Sequence, residues 1–304
     1  MSTWTAADIP DQAGRTAVVT GGNSGLGYET CRALAMRGAN VIMAVRDENR
    51  GRAAADRLRS GTGREVQVAR LDLADLESVR AFATGLIERG APIHLLVNNA
   101  GIGMAPRSVT AQGFESQFGV NHLGHFALTG LLLPLLHRGT DVRVVTVSSE
   151  AYREGAIDFD DLHGERSYRP LRGYRQSKFA NVLFGLELDR RLRASGVLVL
   201  SVLAHPGLAK TNLPSSGAKG PVNLILRVGN AVVAQSAERG AWSQLRAATA
   251  PDVDGGQFFG PGGLAGMWGP PVVLQPGPKA ADPDTAARLW AVSTDLTGVA
   301  YQGM

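Results

Sequence analysis

Residues 15–27 read RTAVVTGGNSGLG, and the fold of the chain turns on them. RTAVVT (15–20) is β-branched and apolar on alternate and intervening positions alike, as a strand covered on both faces must be. It runs straight into Gly21-Gly22-Asn23-Ser24-Gly25-Leu26-Gly27, and a helical stretch follows from Gly25 to about Arg37. Glycines let backbone turn tightly and come close to a ligand, while the first amides of a helix carry partial positive charge. A strand, a glycine loop and a helix in that order make a cradle for a pyrophosphate. The spacing is GxxxGxG rather than GxGxxG, and no Lys-Ser/Thr pair follows to make a P-loop.

Outward from this unit the pattern repeats. ANVIMAV (39–45), REVQVARLDL (64–73), IHLLVNNAG (93–101), VRVVTVSS (142–149) and VLVLSVLAHPG (197–207) read as further strands. Between them lie an arginine-rich helix capped by Asp47, an amphipathic helix over 76–90 stopped by glycine, a long apolar helix over about 112–138 and a helix over 173–196. Apolar strands alternating with helices describe an α/β fold: a doubly wound parallel sheet with helices on both faces. There is no internal repeat and no polar linker, so residues 1–304 are expected to form one domain. Its cofactor-binding part spans about 14–150 and its catalytic and substrate part about 150–304. After Gly207 the chain becomes apolar and punctuated by glycine and proline, and 251–282 reads as a loop-like tail over the sheet edge. GPGGLAG (260–266) is assigned to that tail.

Composition narrows the function. The 304 residues include 44% hydrophobic and 19% charged residues, enough for a core that needs no staple. One cysteine, Cys31, excludes a disulfide framework and a cysteine zinc site, and it reads as a packing residue behind the glycine loop. The net charge of +4 comes from 31 basic and 27 acidic residues. The arginines are scattered and no nucleic-acid reading motif accompanies them. The apolar run Phe126–His137 is short of the roughly twenty residues a span needs and contains Pro134, and the first fourteen residues lack a signal-peptide pattern. The expectation is a cytoplasmic protein with no membrane span.

Two further groups carry chemistry. Strand two ends at Val45-Arg46, where dinucleotide folds place the group that reads the adenine ribose. An apolar Val45 followed by a guanidinium fork suits a 2′-phosphate, which favours NADP(H) over NAD(H). Tyr174 and Lys178 stand four residues apart on one helix face, a pairing that five tyrosines and four lysines would give by chance about 0.07 times. Ser149 ends a strand 25 residues upstream. An ammonium stabilises a phenolate and brings its proton within reach of neutral pH, and a serine hydroxyl can hold a carbonyl beside it. His122 and His125 share a helix face, but with no third ligand no metal is expected.

TGGNSGLG, NNAG (98–101), Asn121, VSS (147–149), YRQSK (174–178) and HPG (205–207) occur in the order that resembles the short-chain dehydrogenase/reductase family, over roughly residues 14–250. GGNSGLGYETCRALAMRGANVIMAVRDENRG resembles more narrowly the retinol-dehydrogenase and WW-domain-oxidoreductase branch. The long Ser149–Tyr174 gap with IDFDDL (157–162) does so too, as does the tail from GGQFFGP (255–261) to ARLWAVSTDLTG (287–298). The resemblance implies a Rossmann-like sheet of about seven strands with a C-terminal substrate-covering extension. It implies that Tyr174 donates the proton in reduction, that Lys178 binds the nicotinamide ribose and tunes Tyr174, that Ser149 (rather than Ser148) orients the carbonyl, and that Asn121 holds a water in a proton relay. Gly21, Gly25 and Gly27 would line the pyrophosphate loop, with Asn23, Ser24 and Leu26 beside them. Asp72 and Leu73 would meet the adenine, and Asn99 the adenosine-side ribose. The motif residues Ala100, Gly101, Pro206 and Gly207 would complete the cofactor site, with Thr211 on the carboxamide.

The function these readings point to is an NADP(H)-dependent oxidoreductase that interconverts a ketone or aldehyde with an alcohol. The segment 212–231 stands where the family places a substrate lid. Its Leu213, Val222, Leu224, Ile225, Leu226 and Val228 favour an apolar or bulky substrate. Alternatives are reduction of a carbon–carbon double bond, as in protochlorophyllide reductases, and a non-catalytic NADP(H)-binding regulator. The partner expected is a small carbonyl or alcohol, and the family's dimers and tetramers make a homo-oligomer the expected assembly. Membrane-bound retinol dehydrogenases begin with an apolar anchor, and no such run opens this sequence.

Overall fold

A computed structural model describes residues 3–208, 235–263 and 266–304. Its centre is an eight-stranded sheet in the order β3-β2-β1-β4-β5-β6-β7-β8. The strands are β1 (Thr16–Thr20), β2 (Asn40–Val45), β3 (Gln67–Arg70), β4 (Leu95–Asn98), β5 (Val142–Val147), β6 (Val199–Ala204), β7 (Phe258–Pro261) and β8 (Pro271–Leu274). All pair in parallel except β8, which runs antiparallel to β7. The order reverses between β1 and β4, and that is where an open α/β sheet leaves a crevice at its carboxyl edge.

The strands are apolar on both faces because each face has its own core. Val18, Leu96 and Val144 point into one; Ala17, Val19, Leu95, Val97 and Val145 point into the other. The first core takes α3 (Leu76–Arg89), α4 (Ser116–Leu136), α5 (Pro170–Ala194) and α7 (Pro283–Thr297). The second takes α1 (Gly25–Met36), α2 (Glu48–Thr62) and α6 (Ala237–Thr249). Asp47 caps α2 by accepting the Arg50 amide, and α3 ends at Gly90 in the left-handed conformation.

Three boundaries differ from the sequence reading. The tail is not a loop, since β7 and β8 extend the sheet past seven strands. Pro261 and Pro271 pair with each other at its rim, where a missing amide costs little. The glycine run that starts at Gly260 therefore does follow a strand. The third strand is confined to Gln67–Arg70, the only part that pairs with β2. The long helix begins at Ser116 rather than about 112, because Gly113 turns the chain with φ +84° and the Glu115 carboxylate caps the first amides. It is 21 residues long and apolar enough for a span by length and composition, yet 83% of its most apolar window is buried against the rest of the fold. The predicted lid, 212–231, lies outside the described residues.

Candidate active site

The crevice above β1 and β4 is a cleft of about 450 Å³. Gly21, Asn23, Ser24, Gly25, Leu26 and Gly27 form one wall; Asp72 and Leu73, then Asn99, Ala100 and Gly101, form the other; Arg46 stands at one end. The floor is glycine for a steric reason. A Cβ on Gly27 would strike the Gly21 carbonyl and come within 2.6 Å of Asn99 Nδ2, and Gly21 itself has φ +67°. Gly25, at φ +53°, faces open space. Ser24 is the N-cap of α1 but its hydroxyl caps nothing, so the helix's first amides are left for a ligand. Asn99 is held by its Nδ2 on the Thr20 carbonyl at 2.8 Å.

Beyond the Gly101 end stand the residues read as catalytic. A Cβ on Gly101 would lie 3.1 Å from Asn121 Oδ1 and 3.5 Å from Lys178 Nζ, so the cleft opens onto them. The Ser149 side chain hydrogen-bonds the Tyr174 phenol. Lys178 Nζ sits 6.0 Å from the centre of the Tyr174 ring and donates to the Val147 carbonyl at 3.2 Å. Ser148, by contrast, spends its hydroxyl on the Lys178 carbonyl at 2.7 Å. That contact distinguishes the two serines: one anchors the helix, the other faces the phenol.

Asn121 lies in a π-turn, Gly119–Leu123, inside α4, a local widening common at functional sites. Its Oδ1 accepts the Ile102 amide at 2.8 Å, and its Nδ2 donates to the Ile102 carbonyl and to Ser177 Oγ, both at 2.9 Å. The side chain thus holds the strand of loop after Gly101 against Lys178. His125 bonds the Asn121 carbonyl through Nδ1 at 3.0 Å and meets Thr20 Oγ1 through Nε2 at 2.9 Å. A carbonyl only accepts, so the ring carries its proton on Nδ1 and turns a bare Nε2 to Thr20 Oγ1, which accepts the Asn99 and Ala100 amides, both at 2.9 Å, and also lies 3.4 Å from the Val97 carbonyl. His122 turns elsewhere, to Ser293 at 2.8 Å; the two histidines do not converge.

Burial sets the charges. It lowers Lys178 to about 8 and His125 to about 4, and it raises the Tyr174 phenol, with the Ser149 hydrogen bond pulling the other way. At pH 7 the lysine remains mostly an ammonium, the histidine is neutral and the tyrosine keeps its proton. A serine, a protonated tyrosine and a buried ammonium beside a glycine-floored cleft are an arrangement that can pass a proton to a ligand held there.

A family model described as short chain dehydrogenase matches residues 15–219. The chain belongs to the short-chain dehydrogenase family. Within it the sequence sits in the retinol-dehydrogenase-like branch. It is 41% identical to human retinol dehydrogenase 12 over 95% of this chain and 88% of that protein. It is 41% identical to mouse polyprenol dehydrogenase over 95% and 86%. A crystal structure of a protein from Mycobacterium paratuberculosis superposes with a TM-score of 0.83 at 46% identity, covering 99% of both chains. An NADP active-site complex from Pseudomonas aeruginosa superposes at 0.64 and 27% identity over 82% of this chain and 94% of that one. This short-chain dehydrogenase is accordingly an oxidoreductase of the carbonyl/alcohol type with a nicotinamide cofactor.

The residues present fit such a cofactor: a glycine floor that a Cβ would fill, and an uncapped helix start above it. Of the positions read from sequence, Thr211 lies outside the described residues. Pro206 and Gly207 are placed not in the cleft wall but in a loop strapped from behind. Gln235 Nε2 holds the Pro206 carbonyl at 2.8 Å, and Leu208 donates to the Met267 carbonyl at 3.0 Å. The tail of this short-chain dehydrogenase is therefore tied to the loop that follows β6. Sequence reading missed Arg50, Ser108, Val109, Ser116 and Val120, which also line the cleft. Arg50 stands four residues from Arg46, a spacing that could have flagged it; Ser108 and Val109 come from a loop without a motif, and Ser116 and Val120 from the start of α4.

Proposed function

We propose that this enzyme is an NADP(H)-dependent oxidoreductase that interconverts an apolar ketone or aldehyde with its alcohol, with Ser149, Tyr174, Lys178 and Asn121 as the working residues. The observation that carries the reading is the Ser149–Tyr174 hydrogen bond, with Lys178 behind the phenol and Gly101 joining both to the cleft. The bound dinucleotide supplies the hydride in reduction and accepts it in oxidation. Gly21, Gly25 and Gly27 would hold its pyrophosphate against the α1 amides, and Arg46 with Arg50 its 2′-phosphate.

In reduction, the Ser149 hydroxyl and the Tyr174 phenol both donate to the substrate oxygen. Tyr174 then gives up its proton as that oxygen gains charge. A phenol kept protonated by burial suits the donor role. Lys178 stabilises the phenolate left behind. The Asn121 carbonyl accepts one hydrogen bond from His125 and has a second lone pair for a water that returns the proton. Two of the relatives are named for retinol and for polyprenol, both long apolar alcohols, which supports an apolar substrate here.

The test follows NADPH and, separately, NADH oxidation across apolar aldehydes, ketones, quinones and steroids, with Tyr174→Phe as the blank. Turnover with NADPH that the variant loses is the expected result. Turnover that survives Tyr174→Phe overturns the assignment.

A further inference from the structure

Between Ser149 and Tyr174 the chain runs through 24 residues, and one side chain in that segment is tied to three other residues near the site. The Tyr168 hydroxyl accepts from Gln117 Nε2 at 2.7 Å. It offers its single proton to the Ala105 carbonyl at 2.9 Å and to Glu115 Oε1 at 3.1 Å. Each partner leads to the catalytic centre. Ala105 lies in the loop that follows Gly101. Glu115 is 2% exposed and caps α4 through the Gln117 and Phe118 amides, both at 2.8 Å, at the start of the helix that carries Asn121. Gln117 also holds the Pro170 carbonyl at 2.9 Å, at the start of the helix that carries Tyr174.

The packing repeats the hydrogen bonds. A Cβ on Gly173, the residue before Tyr174, would lie 3.0 Å from both Tyr168 Cε2 and Gln117 Nε2, and a Cβ on Gly164 would lie 2.8 Å from Tyr168 Cδ2. Both glycines therefore lie against the Cδ2–Cε2 edge of the tyrosine ring, where any side chain would crowd it. Burial and the neighbouring Glu115 carboxylate push the phenol up to about 12, so its proton stays in place throughout the working pH range.

We infer that Tyr168 is a positioning residue: with Glu115 and Gln117 it locks the helix bearing Asn121 to the helix bearing Tyr174 and so fixes the distance between relay and proton donor. The inference rests on Tyr174 and Asn121 having the roles proposed above. The long segment before Tyr174 then has a use, since it carries a second tie between two helices that already meet through the Asn121–Ser177 hydrogen bond. Misplacing a reacting group by even an ångström costs up to about a hundredfold in rate, so a clasp of this kind should act on kcat.

The test compares Tyr168→Phe, Gln117→Leu and their double variant with wild type. Arg107→Ala, which removes the bond to the His163 carbonyl and the ion pair with Glu165 in the same region, serves as the control. Steady-state kinetics with NADPH and the best substrate are run well below the Tm of each protein, alongside an NADPH titration. The expected result is a roughly tenfold or greater fall in kcat for Tyr168→Phe. KM and the NADPH Kd should stay within twofold, the double variant should fall by less than the product of the two singles, and Arg107→Ala should match wild type. A Tyr168→Phe enzyme with wild-type kcat, or one whose only change is a lower Tm, overturns the clasp. If Tyr174→Phe is active while Tyr168→Phe is not, the fault lies in the proton-donor assignment; if Tyr174→Phe is dead and Tyr168→Phe is normal, it lies in the clasp alone.

Discussion

Removing the two guanidinium groups at the adenosine end should abolish the NADPH preference proposed above and leave an enzyme indifferent to the 2′-phosphate. Arg46 follows β2 directly and Arg50 lies in the first turn of α2; both are exposed and both line the cleft. Neither has an ion-pair partner among the described residues, and the Asp47 carboxylate between them is occupied with the Arg50 amide at 3.1 Å. Among the described residues the site therefore has two guanidinium forks without an ion-pair partner. A hydrogen bond to a charged group is worth about 1.5–3 kcal/mol net, and exposure to solvent puts these at the lower end. About 1.5 kcal/mol corresponds to a tenfold change in affinity. Arg46→Ala and Arg50→Ala should each raise the NADPH Kd about tenfold. The double variant should reach about tenfold to a hundredfold, depending on how far two groups sharing one phosphate couple. The NADH Kd should stay within twofold throughout, because the Asp47 cap and the backbone are untouched. Fluorescence titration with each coenzyme at low and high ionic strength measures this, and the NADPH advantage should shrink as salt screens it. Wild-type protein that binds NADH as tightly as NADPH, or variants that lose both coenzymes equally, would refute the reasoning.

Three other outcomes follow from contacts in the same site. Ser149→Ala should lower kcat by about a hundredfold or more with the fold intact, whereas Ser148→Ala, which loses a buried bond to the Lys178 carbonyl, should lower Tm first; urea titration beside kinetics separates them. Gly27→Ala forces a Cβ against the Gly21 carbonyl, so it should cost about 1–3 kcal/mol of stability and abolish binding of both coenzymes in a calorimetric titration. Burial holds His122 near 3 and His125 and His205 near 4, all below the usual 6.5. The unfolded chain therefore binds more protons below pH 6.5, and each histidine should withdraw about 1.4 kcal/mol of stability per pH unit between 6.5 and its folded value. Urea midpoints from pH 7 to 4.5 should fall steeply, and less steeply in His122→Gln.

The glycine loop, the parallel strands and the Tyr174–Lys178 pair were legible because each is local. A strand with two apolar faces, a turn that needs glycine and an i, i+4 pair all sit within a few residues of themselves. The tail was not legible for the opposite reason. FFGP and PVVL look like loop because proline and glycine argue against strand, and only the edge position of β8, set by the rest of the sheet, makes them tolerable. Arg50 was hidden by its neighbour Asp47, whose capping role is visible in sequence while the side-chain direction of the next turn is not. Tyr168 and Glu115 lie 53 residues apart. No periodicity connects them, and it takes the crossing of α4 and α5 to show that one hydroxyl serves both.

The protein gives up stability to keep Lys178 where it is. Its folded value of about 8 lies below the ordinary 10.5, with desolvation as the cause. A base whose folded pKa is depressed binds fewer protons in the native state than in the unfolded one, so stability rises with pH between those values. Over that interval the rise from this one site is about 3 kcal/mol, at about 1.4 kcal/mol per unit. Other buried groups oppose it at the alkaline end. Cys31, pushed up by burial, and the raised phenols of Tyr152, Tyr168, Tyr174 and Tyr301 all hold protons that the unfolded chain would release. The lysine's share is therefore read as a difference. The stability of Lys178→Met minus that of wild type, both without coenzyme, should be largest below pH 8 and shrink steadily towards pH 10, since Cys31 and the tyrosines are common to both chains. The variant also loses the bond to the Val147 carbonyl, which shifts the whole difference without changing its slope. A difference that stays flat from pH 7 to 10 would mean that the ammonium is not desolvated and that Lys178 meets the phenol as an ordinary surface charge.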